Sequence, residues 1–328
     1  MEPSVEKQDE QNPPNQGRNR RRMQKRLSVT DLVDPTKPWM LVDGTEMLGF
    51  FDFVPKHLRI GPWNIFASVA LFVLIYTLVI MLIVANTLHG RDGRSIVGGD
   101  GSTTGSSSSV LDDFRLPDEA YEPYTVSWWY NLSGFVWCSY VWYLVKTDAY
   151  MGPVAFVSYT LWSWTIITLR HGLCVLSPFV SAVRIFSEML RLPVLMSASV
   201  TFGVWNFILM PAICLVFIKD SDRRRKFVQF AFGFRLFNLH VLDIFFAILN
   251  ASYAEPRRKL QLGDLNTLAI YMVTYLLFYY FVLDRFAIHL YPIFSPRVSW
   301  VVFPWLMVVG LCIGGYNFWE DRLHDAQY

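Results

Sequence analysis

Residues 233–250, "GFRLFNLHVLDIFFAILN", decide how this chain is read. The run is apolar enough, and close enough to the roughly 20 residues at about 1.5 Å each that hydrocarbon requires, to be a membrane-spanning helix. Yet Arg235, Asn238, His240 and Asp243 lie inside it. Ionisable groups at membrane depth are costly, so they turn toward a bundle interior or a wet cavity and are functional candidates by default. At the 100° per residue of an ideal helix, His240 and Asp243 share a face, Asn250 lies near them, and Arg235 is within reach of Asp243.

Working outward, the 328 residues are 53% hydrophobic and only 17% charged, a balance foreign to soluble globular proteins. Apolar runs near 63–86, 126–145, 152–176, 193–218, 228–249, 265–284 and 298–317 each suit one crossing. They predict an all-α, polytopic membrane helix bundle: a six-span core over 125–328 and one extra N-terminal transmembrane helix at 62–88. A Gly/Ser-rich linker at 89–124 separates the two. Residues 1–61 read as a basic disordered arm and a juxtamembrane segment; no apolar segment precedes the basic run at 18–26, which therefore reads as an arm rather than a cleavable signal peptide.

Net charge is only +2, so nothing global points to nucleic acid, but the basic residues are concentrated. Arg18, Arg20, Arg21, Arg22, Lys25 and Arg26 form a patch suited to anionic lipid headgroups, with Ser28 beside it as a phosphorylatable switch. This arm and "KDSDRRRKF" (219–227) place the N-terminus in the cytosol by the positive-inside rule, although "PRRK" at 256–259 then falls on the opposite side. The endoplasmic reticulum or the plasma membrane is the expected location. Cys138, Cys174, Cys214 and Cys312 are scattered through apolar runs and suggest neither a disulfide framework nor a metal centre. The sequons at Asn131 and Asn250 lie in or against apolar runs and read as chance matches, and "GLCIG" (310–314) reads as a close helix-packing motif.

The third run, "GPVAFVSYTLWSWTIITLRHGLCVL" (152–176), carries a second polar stripe through Thr160, Ser163, Ile167 and His171. Alternate spans run in the same direction, so depths compare directly. Thr160 lies roughly 12 Å into its run and His240 roughly 18 Å into its own, near enough to meet, whereas His171 lies about 16 Å beyond Thr160. A hydroxyl beside an imidazole is the minimum for covalent acyl transfer, with Asp243 or a carbonyl orienting the ring. No G-x-S-x-G, H-E-x-x-H, C-x-x-C or phosphate-binding glycine loop competes with this pair.

With these residues identified, 125–320 resembles the androgen-induced family of six-span membrane proteins, which includes threonine hydrolases of fatty acid esters of hydroxy fatty acids. "YTLWSWTIITLRHGLCVL", "FNLHVLDIFFAILN" and "IHLYPIF", the last with Tyr291 and Pro292, occur in the family's order. The resemblance implies an intramembrane lipid esterase with Thr160 as nucleophile and His240 as general base. Ser163, Asn238 and Asp243 would support them, and no cofactor is implied. A transporter or channel, or a regulatory scaffold, is the alternative that the same intramembrane charges allow.

Overall fold

The computed structural model describes residues 59–60, 63–95, 114, 122–147, 152–218, 220–253, 258–284, 290–296 and 301–325. The basic arm, Ser28, Arg285 and most of the 89–124 linker lie outside the described residues.

Apart from a short antiparallel pairing of β1 (Arg59–Ile60) with β2 (Trp63–Asn64), the regular structure is helical. The helices are α1 (Ile65–Ser95), α2 (Val126–Thr147), α3 (Tyr159–Leu176), α4 (Ser181–Met189) and α5 (Arg191–Gly203), then α6 (Ser221–Ala231), α7 (Phe234–Phe237), α8 (Leu262–Phe278) and α9 (Val302–Asp325). Three of them continue through wide π-turns. α5 runs on through Val204–Leu209 and Ile213–Phe217, α7 through Asn238–Leu242 into a further helix at Asp243–Tyr253, and α8 through Tyr279–Leu283. Pro211 lies between the two π-turns of α5; it has no N–H and its ring excludes the carbonyl one turn earlier, so a regular ladder cannot pass.

Each of the seven apolar runs is helical over most of its described length, and among the described residues five helical segments are long and apolar enough to cross a membrane: Ile65–Val84, Ser181–Leu215, Phe234–Ser252, Leu262–Leu283 and Val302–Glu320. The chain is a multi-pass membrane bundle. α2 and α3, diluted by tryptophan and polar residues, pack along each other. The polarity of the bundle is the reverse of a soluble core: Phe72 is 71% and Leu215 74% exposed, while Arg170, His171, Asp243 and Asp264 are fully covered.

α1 docks against the far part of the chain. Ala67 and Leu71 pack with Tyr275, Leu276, Tyr279 and Tyr280, and the Trp63 indole donates to an Asp284 oxygen at 2.9 Å. Thus the end of α1 nearest Trp63 lies at the same end of the bundle as the close of the α8 rod. Phe114, inside the predicted linker, is buried and covers the Arg258 guanidinium at 5.2 Å.

The opposite end holds a buried ionic network. Arg258 grips both oxygens of Asp264 at 2.6 and 2.7 Å and donates to Glu188 at 2.9 Å; Glu188 also accepts from Arg191 at 3.1 Å. Arg258, part of "PRRK", is therefore an internal tie rather than a surface charge. "GLCIG" does not pack as expected: a side chain at Gly310 or Gly314 would meet open space, while the adjacent Gly315 is the position pressed against Met196.

Candidate catalytic site

α3 begins at Tyr159 because Ser158, in extended conformation, caps it: its hydroxyl accepts the Leu161 N–H at 3.2 Å. Thr160 therefore sits in the first turn of the helix rather than two turns in, as a helix starting at 152 would have it. Here the aligned peptide dipoles of the helix N-terminus favour negative charge.

His240 comes from the π-turn Asn238–Leu242, where the Asp243 N–H reaches back five residues to the Asn238 carbonyl. Single π-turns recur at functional positions because the extra residue re-aims side chains. Across 80 positions of sequence, the Nε2 of His240 lies 3.2 Å from the Thr160 hydroxyl oxygen, and both residues are buried. The Nδ1 of His240 is 3.0 Å from the Leu236 carbonyl. A carbonyl only accepts, so Nδ1 carries the proton and the Nε2 lone pair is directed at Thr160.

The π-turn of α5 faces this ring. Trp205 stacks on it with centroids 4.1 Å apart and planes at 21°, and the Asn206 amide donates to the main-chain carbonyl of His240 at 2.8 Å. A third group closes the site from the segment before α9. The Tyr291 hydroxyl oxygen lies 3.2 Å from the Thr160 hydroxyl oxygen and accepts the Thr160 N–H at 3.3 Å, while Tyr279 donates to the Tyr291 carbonyl at 3.0 Å. Nothing in the sequence marked Trp205 or Asn206, and Tyr291 stood out only as part of "IHLYPIF".

Thr160 and His240 share the wall of a cavity of about 60 Å³ in the bundle interior, where α3, the α5, α7 and α8 rods and α9 meet. The remaining wall is largely aliphatic and aromatic, including Val204, Met272, Tyr275, Phe294 and Trp305. Water would meet few polar partners there besides the site itself.

The supporting residues expected from the sequence lie elsewhere. Ser163 donates to Ser197 at 3.1 Å, and Asn238 bonds the Phe234 carbonyl and accepts from Trp137 at 2.9 Å, tying α7 to α2. Asp243 is buried, but one of its oxygens accepts the adjacent Ile244 N–H and the other has no hydrogen-bond partner among the described residues, so it does not orient His240. The Leu236 carbonyl has that role. Asn250 joins Asn131 and His171 in a separate buried cluster, which also accounts for both sequons lying out of reach of glycosylation. Among the described residues no group of three His, Cys, Asp or Glu side chains is placed to hold a metal ion.

Compared with protein-family models, characterised proteins and solved structures, the chain matches none.

Proposed function

We propose that the protein is an intramembrane esterase that cleaves long-chain acyl esters through a Thr160 nucleophile and a His240 general base. The observation that carries this reading is the 3.2 Å approach of Thr160 to the one unprotonated nitrogen of His240. In the first step the Thr160 oxygen bonds to the ester carbonyl carbon as its proton passes to Nε2. The carbonyl electron pair moves to oxygen, and the resulting oxyanion forms beside the N-terminus of α3. Collapse breaks the bond to the alcohol oxygen, which takes the proton from Nε2. Water, deprotonated by the same nitrogen, then adds to the acyl carbon, and collapse breaks the bond to Thr160, whose oxygen takes the proton back from Nε2 as the acid leaves.

The apolar cavity wall and the depth of the site favour an amphiphilic substrate. Esters of hydroxy fatty acids are the specific class proposed, a narrowing that rests on the resemblance of 125–320 to the androgen-induced family. Arg224–Lys226 of α6 lie just before α7, at the end where Thr160 and Trp63 also sit, and in the sequence the basic arm precedes α1. With Arg258 internal, the charge asymmetry favours that end in the cytosol, on an endoplasmic-reticulum or plasma membrane, with the arm available to anionic headgroups. Purified protein in liposomes should hydrolyse a long-chain ester of a hydroxy fatty acid, and Thr160→Ala and His240→Ala should each lower turnover at least about a thousandfold. Equal turnover in Thr160→Ala would refute the mechanism, and ion or solute flux in its place would favour a transporter.

A further inference from the structure

Every hydrogen bond around Thr160 can be given a direction. The Leu236 carbonyl at one end of the chain only accepts, and the Thr160 N–H at the other end only donates. Between them lie His240, the Thr160 hydroxyl and the Tyr291 hydroxyl, linked at 3.2 and 3.2 Å. His240 Nδ1 must donate to Leu236, which leaves Nε2 as an acceptor for the Thr160 proton. The Tyr291 oxygen already accepts the Thr160 N–H, and its own proton is directed to the Thr160 oxygen. All the protons then point one way, from the α3 backbone through Tyr291 and Thr160 to His240.

Resting on the esterase reading above, we propose that Tyr291 is a third catalytic residue: its O–H holds the Thr160 proton toward His240 and then donates to the oxyanion. While Thr160 is a free hydroxyl, the phenol occupies one of its two lone pairs and keeps its proton from turning away from Nε2, leaving the other pair to attack. Once that second pair bonds to the carbonyl carbon, the Thr160 oxygen becomes a much weaker acceptor than the oxyanion formed beside it. The new oxyanion is separated from the Thr160 oxygen by one carbon, so the phenol exchanges one acceptor for its neighbour with little movement. The proton count is unchanged: one proton moves from Thr160 to His240 and on to the leaving alcohol, and the phenol keeps its own.

Two further observations fit this role. The Tyr279 hydroxyl fixes the Tyr291 main chain, so the ring is held from behind. Burial pushes the phenol above its ordinary pKa, so it remains a donor at neutral pH. Among the described residues, the titratable groups near it are His240, Tyr159, Tyr271, Tyr275 and Tyr279, and no carboxylate or ammonium group lines the cavity.

The test is ester turnover and fluorophosphonate labelling of the full-length protein in detergent, for wild type and Tyr291→Phe, with thermal unfolding as the check on folding. Folded Tyr291→Phe should label and turn over about 100- to 1,000-fold more slowly, in kcat rather than KM, as loss of one oxyanion donor does. Labelling of wild type at Thr160 together with an unchanged rate in Tyr291→Phe overturns the role of Tyr291 and leaves the esterase standing. Absence of labelling in folded wild type overturns both. If Tyr291→Phe does not fold, 3,5-difluorotyrosine at 291 keeps the shape and lowers the phenol pKa. The alkaline limb of the rate profile should then move to lower pH, and an unmoved limb overturns the proposal.

Discussion

The indole of Trp205 lies stacked on the imidazole of His240, 4.1 Å between centroids, and Asn206 next to it holds the His240 carbonyl. One π-turn thus supports both the ring and the backbone of the residue presented by another. The stack fixes the ring plane, and the amide satisfies a carbonyl in surroundings where water is scarce.

Trp205→Leu should therefore retain the fold and lose about fivefold in kcat, the equivalent of a stacking contribution near 1 kcal/mol. Thr160→Ala combined with Trp205→Leu should be no worse than Thr160→Ala alone, because both act through one proton transfer. Turnover measured in a double-mutant cycle checks this.

Thr160→Ser should keep measurable turnover, since the hydroxyl remains within reach of both Nε2 and Tyr291. His240→Gln should not, because an amide in that place cannot accept and then release a proton. Single-turnover hydrolysis of a chromogenic long-chain ester separates the two.

The pairing of Thr160 with His240 was legible because both stand out chemically in apolar runs and helix rise fixes their depth. The failed expectation for Asp243 has a geometric cause. A turn closing over five residues advances less per residue than 100°, so His240 and Asp243 no longer share a face. Nothing in the composition of 238–242 distinguishes a π-turn from an ordinary one. Tyr291 was seen as a motif but not as a partner of Thr160, because it enters from an irregular segment outside any helical period. Trp205 reads in sequence like any other core aromatic.

The ionic network at the other end predicts a stability effect without a catalytic one. Glu188→Gln leaves Arg258 and Arg191 short of one buried counter-charge and should destabilise the bundle by about 3–5 kcal/mol. Thermal unfolding in detergent, read beside turnover of the surviving folded fraction, checks this.

Gly134 is required by contact rather than by conformation. A Cβ there would lie 2.7 Å from the His171 ring, inside the buried cluster with Asn131 and Asn250. Gly134→Ala should cost about 1–3 kcal/mol as α2 and α3 are pushed apart, and His171→Ala in the same chain should recover part of it.

Docking of α1 depends on Trp63 reaching Asp284. Trp63→Phe keeps the ring contacts with Tyr280 and Phe281 but removes the 2.9 Å bond, at a cost of about 1.5–3 kcal/mol. Protease protection of the segment before α1 should fall accordingly.

The most direct measurement is mass-spectrometric mapping of a fluorophosphonate adduct on the folded full-length protein. The adduct should sit on the peptide bearing Thr160, with labelling lost in both Thr160→Ala and His240→Ala. An adduct that persists in Thr160→Ala, or folded wild-type protein that takes up no probe, would contradict the mechanism.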